Sequence, residues 1–273
     1  MFVIVWRPQT LIFPRDFDLL EKKIYKHLKA DEYEMAWQLG EKYLKSTSLK
    51  KSPKEYAKLC FLTGLSFYHA GKFEQALGLF DQYAKVTPEM SDHQLSRYYL
   101  YKGETLYCLG RMHDAVDILQ KGILLNDEMT IERIYTALGT IYLELKQYND
   151  ASKVLNHKLN YSIKKYGESS EETAESYFWL ARVYLFMKKI KLAKKFFHNS
   201  IAVLSSRPPE LPIIVMAYYN LSDIAVSYDN DKVAAINYLQ KANKSNQQLP
   251  HPVKESQLPI LLRIKRIQKE LKR

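Results

Sequence analysis

Gly64-Leu-Ser-Phe-Tyr-His-Ala-Gly71-Lys-Phe-Glu-Gln-Ala-Leu-Gly-Leu-Phe-Asp-Gln-Tyr-Ala-Lys-Val-Thr-Pro88 is the stretch on which the fold turns. Its glycines and its Gly71-Lys72 pair raise the question of a phosphate-cradling loop. Such a loop needs four residues between its glycines and a Ser or Thr after the Lys. Here six residues separate Gly64 from Gly71, and Phe73 follows Lys72, so no hydroxyl is offered to Mg²⁺. No apolar β-branched run precedes Gly64 to act as the leading strand. The stretch is not a nucleotide loop.

It is instead one copy of a recurring pattern. Aligned on the alanine of Phe73-Glu74-Gln75-Ala76, matching segments end at Ala115, Ala151, Ala193 and Ala235, with a weaker first copy at Ala36. These alanines lie 40, 39, 36, 42 and 42 residues apart. A period of 20 to 50 residues marks a stacked array. Twelve residues before the anchor alanine stands a small residue: Gly64, Gly103, Gly139 and Ala181. Three residues further on is a large one: Phe67, Leu106, Tyr142 and Tyr184. Four residues after the alanine comes a bulky apolar one: Phe80, Leu119, Leu155, Phe197 and Leu239. A helix hairpin packs closely only where its crossing point is small, so the small residue is expected to face the alanine, with large residues filling the seams.

This skeleton resembles the tetratricopeptide repeat, over roughly residues 17–247. The first copy departs from it at Ile24, where the small residue is missing, and the last carries Ser222. The 42-residue spacing, with an insert over Lys165–Ala174, is similar to the long repeats of kinesin light chains. The order of motifs is also similar to the repeat half of a ciliary MYND-finger tetratricopeptide protein, without the finger, which two cysteines cannot make. The resemblance implies an all-α, right-handed superhelical array of about six hairpins. The expected organisation is an extended arm over 1–15, the array over 16–247, and a basic amphipathic capping helix over 253–273.

The rest of the chain agrees. Of 273 residues, 47% are hydrophobic, and glycines and prolines number only nine and ten. Apolar residues recur at helical spacing, with no convincing strand except Phe2–Trp6. Cys60 and Cys108 stand alone in separate repeats and read as two reduced core thiols. No His-Glu-x-x-His, Cys-x-x-Cys or Gly-x-Ser-x-Gly occurs, and no cofactor, metal or catalytic constellation is expected. No run of 18 apolar residues is present, which favours a cytoplasmic chain, cytoskeletal or ciliary by resemblance.

Charge is uneven. Residues 1–180 carry 24 basic and 24 acidic side chains, whereas 181–273 carry 17 basic and 6 acidic, so the whole net charge of +11 lies in the last third. Two clusters hold much of it: Lys188, Lys189, Lys191, Lys194 and Lys195, and then Arg263, Lys265, Arg266 and Lys269, with Lys272 and Arg273 at the end. Solvated faces account for such runs in many proteins, and the sharper reading is a dock for an acidic surface. Nucleic acid is disfavoured, because no basic motif with interleaved aromatics accompanies the charge.

The resemblance further implies a concave groove lined by first helices. In family register its positions are Phe61, Leu65, Tyr68, Leu100, Glu104, Tyr107, Thr136, Thr140, Phe178, Arg182, Tyr219 and Asp223. The expected function is a non-enzymatic scaffold that binds a protein or peptide. The alternative is a peptide-sensing regulator like the bacterial quorum-peptide receptors, and about 15 residues before the first repeat leave no room for a helix-turn-helix. Ile260, Ile264, Ile267 and Leu271 form the stripe of a helix expected to begin after Pro259 and to pack near Leu239 and Ala242.

Overall fold

The computed structural model describes residues 17–45, 52–87, 89–205, 212–249 and 254–271. The arm expected over 1–15, with Phe2–Trp6, lies outside them. Every regular element among the described residues is a helix. Six hairpins follow one another: α1 (Phe17–Lys29) with α2 (Tyr33–Leu44), α3 (Pro53–His69) with α4 (Phe73–Val86), α5 (Asp92–Cys108) with α6 (Met112–Leu125), α7 (Ile131–Glu144) with α8 (Tyr148–Tyr166), α9 (Glu171–Phe186) with α10 (Ile190–Leu204), and α11 (Ile213–Ser227) with α12 (Lys232–Gln247). A last helix, α13 (Lys254–Leu271), follows. The chain divides into two compact units, Met1–Ile131 and Glu132–Arg273.

The hairpin turns share one feature. Five residues before each anchor alanine the backbone is left-handed, at Asp31, Gly71, Gly110, Lys146, Lys188 and Asn230 (φ 57°, 73°, 75°, 59°, 57° and 53°). In the second hairpin the Gly71 N–H reaches the Tyr68 carbonyl at 3.0 Å and the Lys72 N–H reaches the Phe67 carbonyl at 2.9 Å. That pair of bonds satisfies carbonyls at the end of a helix that have no partner inside it. The same pair closes the turns at Gly110, Lys146 and Lys188. Gly71 is therefore a turn residue, in a conformation that costs a non-glycine residue roughly 1–2 kcal/mol.

All six anchor alanines are fully buried, and so are the bulky residues four positions on from five of them. The partner of the small residue differs from the expectation. A Cβ built on Gly64 meets Phe80 at 2.8 Å, one on Gly103 meets Leu119 at 2.5 Å, and one on Gly139 meets Leu155 at 2.7 Å. The glycine thus makes room for the large side chain four residues past the alanine, rather than for the alanine itself. The first hairpin reverses the sizes: Ile24 is buried where glycine stands elsewhere, and Gly40 is buried at the bulky position.

Each unit has its own core. In the first, Phe61, Phe80, Tyr83 and Tyr98 centre an aromatic cluster. In the second, Phe178, Phe197, Leu221 and Leu239 do so. Among the described residues one charged side chain is buried: Lys158 on α8 is 2% exposed, and its ammonium meets Glu175 of α9 at 2.9 Å. The Trp179 indole N–H donates to the same carboxylate at 3.1 Å.

Helix α13 packs on α12 as the stripe suggests. Ile260 and Ile267 are buried and Ile264 packs on the same cluster, together with Leu239 and Ala242. Leu271 is exposed. The start differs from the expectation: α13 begins at Lys254, with Pro259 inside it. As the sixth residue of the helix, Pro259 lies past the four N–H groups that have no intrahelical acceptor and so removes one backbone bond. Cys108 also differs. Cys60 is buried, which pushes its thiol up to about 11. Cys108, as the last residue of α5, is exposed rather than a core thiol.

Candidate partner-binding surface

In the first unit the groove positions divide by burial. Phe61, Leu65 and Leu100 are buried and serve the core rather than a surface. The reason is geometric: α3 packs on its own hairpin partner and on both neighbouring hairpins, so all but one residue from Ala57 to Phe67 are buried. Tyr68, Glu104 and Tyr107 stay half-buried. The Tyr68 hydroxyl donates to Glu104 at 3.1 Å, tying α3 to α5.

The same face holds residues that the family register missed. A cavity of about 100 Å³ is lined by Glu21 and Tyr25 of α1, Lys58, Phe61 and Leu62 of α3, Tyr83 of α4, and Gln94 and Arg97 of α5. Lys58 pairs with Glu21 at 3.2 Å. The Arg97 guanidinium lies over the Phe61 ring, 4.9 Å from its centre. Lys58 and Arg97 stand three residues before Phe61 and Leu100, so the stripe itself held the signal one turn earlier. A cation over a buried aromatic, beside a cavity, suits a ligand that brings an acidic group next to an apolar one.

In the second unit Thr136 and Thr140 direct their hydroxyls to carbonyls four residues back, both at 3.0 Å. Phe178 is buried. Arg182 lies over the Trp179 ring at 5.0 Å. Tyr219 and Asp223 are bound together by Arg263 of α13, which donates to the Tyr219 hydroxyl at 2.8 Å and pairs with Asp223. Arg263 is therefore removed from the expected basic dock, while Lys265, Arg266 and Lys269 of the same helix are exposed. Arg263→Gln should lower stability by about 1 kcal/mol, as for a partly exposed ion pair. Chemical denaturation would measure it; no loss would mean that α13 is held by its isoleucines alone.

In the other basic cluster Lys188, Lys189, Lys191 and Lys195 are exposed, and Lys194 pairs with Asp229. Among the described residues no three His, Cys, Asp or Glu side chains gather as a metal would require. None of the described helices is long and apolar enough to cross a membrane.

The chain also resembles known proteins. The tetratricopeptide repeat model matches residues 132–159 and 174–202. The chain carries tetratricopeptide repeats. It is similar to human tetratricopeptide repeat protein 29, at 24% identity over 178 residues, covering 63% of this chain and 37% of that protein. The chain thus spans little more than a third of that relative's length. Among solved structures, a putative kinesin light chain with nearly identical repeats from Podosopora anserina superposes with a TM-score of 0.61 at 13% identity, covering 70% of this chain and 95% of that one. PilW, a type IV pilus biogenesis factor, superposes at 0.65 with 13% identity, covering 90% and 99%. At such identities the likeness concerns the fold. Proteins with tetratricopeptide repeats bind protein partners, and the repeat is a scaffold rather than a catalytic fold.

Proposed function

We propose that the chain is a non-enzymatic scaffold that holds a protein or peptide partner on the faces of its first helices, within a larger cytoskeletal or ciliary assembly. The observation that supports this most is the cavity on the first unit, which Lys58 lines and where Arg97 lies over the Phe61 ring. Tyr68, Glu104 and Tyr107 extend the face along α3 and α5; Thr136, Thr140 and Arg182 offer a separate patch on the second unit. The cytoskeletal context is supported by the kinesin-light-chain-like repeat length, and the ciliary one by the order of motifs.

The test is affinity capture with mass spectrometry, followed by calorimetry on the captured partner. Arg97→Ala should weaken binding by about 2 kcal/mol, roughly thirtyfold, as truncating an interface anchor does. It should leave folding intact, because Phe61 keeps its contacts with Phe80, Tyr83 and Tyr101. Equal affinity of parent and variant would remove the cavity from the binding surface.

A further inference from the structure

The second helices of five hairpins obey one electrostatic pattern at their starts, and the remaining one reverses it. Helices α2, α4, α6 and α8 carry Glu34, Glu74, Asp114 and Asp150 in their first turns, and Asp231 caps α12. Acidic groups there complement the positive end of the helix dipole. Helix α10 has none: Lys188 and Lys189 precede it, and Lys191 follows its first residue. Lys191, Lys194, Lys195 and His198 then fall at i, i+3, i+4 and i+7, on one face. These like charges oppose both the dipole and one another, so helix stability does not account for them.

The outer face of α12 continues the field. His198 packs its ring on Tyr238 of α12, 6.2 Å between centres. Lys241 of α12 stands near His198 and over the ring of Tyr218 of α11, 5.9 Å from its centre. Neither α10 nor α12, 15 and 16 residues long, contains an Asp or Glu. Asp229, in the turn before α12, is taken by Lys194. Lys191 and Lys195 make no ion pair with a described residue. Leu192, 40% exposed, adds an apolar contact beside them.

We propose that the outer face of α10 and α12 docks an acidic segment of a partner protein, its carboxylates meeting Lys191, Lys195, His198 and Lys241. The site rests on the reading of the chain as a protein-binding scaffold, but lies on a different surface from the Arg97 cavity. Lysines are point charges that accept carboxylates in many registers, whereas fixed recognition of phosphate favours the bidentate arginine fork, which this face lacks. An extended acidic segment presents side chains to one side every ~6.6 Å, close to the ~5.4 Å turn spacing of these lysines. His198 reports the docking. Loss of water around its ring, then Lys194 and Lys241, hold it below the ordinary histidine value in the free chain. Carboxylates arriving from solvent favour its charged form, so binding should raise its titration midpoint and should strengthen as pH falls through it.

The experiment titrates His198 by NMR with and without a glutamate-rich peptide, and measures peptide affinity for the parent, for Lys191→Gln/Lys195→Gln/Lys241→Gln, for Lys265→Gln/Lys269→Gln and for Arg97→Ala. The expected result is an upward shift of the His198 midpoint, binding that weakens as salt rises, at least a tenfold loss in the first variant, and none in the other two. All substituted lysines are exposed, and circular dichroism checks that the variants fold. The proposal is overturned if the peptide binds without moving His198, if the first variant binds as the parent does, or if duplex DNA or anionic vesicles bind this face more tightly than the peptide. Loss of peptide binding in Arg97→Ala alone would assign the acidic segment to the cavity instead.

Discussion

Gly139→Leu is expected to melt about 6–12 °C below the parent. A single Cβ at this position already comes within 2.7 Å of Leu155, and three more carbons would follow it into the α7–α8 crossing. Overpacking of a closed core costs about 3 kcal/mol, which for a chain of this size moves the midpoint by roughly 2–4 °C per kcal/mol. Gly78→Leu is the control. Gly78 is also helical, on α4, but nothing lies within 4 Å of an added Cβ. It should leave the midpoint unchanged or raise it slightly, since leucine is the better helix former by somewhat under 1 kcal/mol. Thermal melting of both proteins is the measurement. Equal losses would show that glycine acts at these positions through the backbone and not through the space it leaves for Leu155.

The second large effect concerns the buried ion pair, and its sign depends on which partner is removed. Glu175→Ala leaves the Lys158 ammonium inside the core without its counter-charge, and should cost about 3–5 kcal/mol. Lys158→Met keeps the stem and removes the charge. Glu175 is about one-third exposed and retains water and the Trp179 indole as partners. That substitution should be nearly neutral or stabilising, as replacements of buried ion pairs by apolar residues often are. Urea denaturation of the two variants gives the comparison. Similar losses in both would mean that the pair contributes net attraction well beyond its desolvation.

Much of the fold was legible because a hairpin array repeats its own evidence. Six alanines at near-constant spacing set the register, and each second helix begins three residues before its alanine. The groove was less legible, for a physical reason visible at Phe61 and Phe178. A first helix in a stack is covered on several sides, so its apolar residues no longer mark one face. A single step along a helix turns a side chain by about 100°, which is enough to move a residue from the surface into the core. Phe178 was thus expected to meet a partner and instead stacks in the core with Phe197, 5.9 Å between ring centres. The basic surface was legible only in part: the lysines from Lys188 to Lys195 stood out as a cluster, but Lys241 did not join them. His198 of α10 reaches Tyr238 and the neighbourhood of Lys241 on α12 across the fold, and no local pattern joins residues some forty positions apart. Arg263 was misassigned for the same reason, since its partners Tyr219 and Asp223 belong to a hairpin that ends before α13 begins. At Pro259 the rule that proline starts a helix failed, because α13 begins five residues earlier and carries the proline in its second turn.

The left-handed turns have a mechanical consequence. Five hairpins close over three residues between their helices and the last over four, so most of their packing joins segments close together in sequence. Such local contacts re-form quickly after they break. A stack of this kind, with contacts mainly between neighbours, yields hairpin by hairpin under tension instead of rupturing at once. Stretched, an array built this way lengthens in steps of some forty residues and recovers when the load is released.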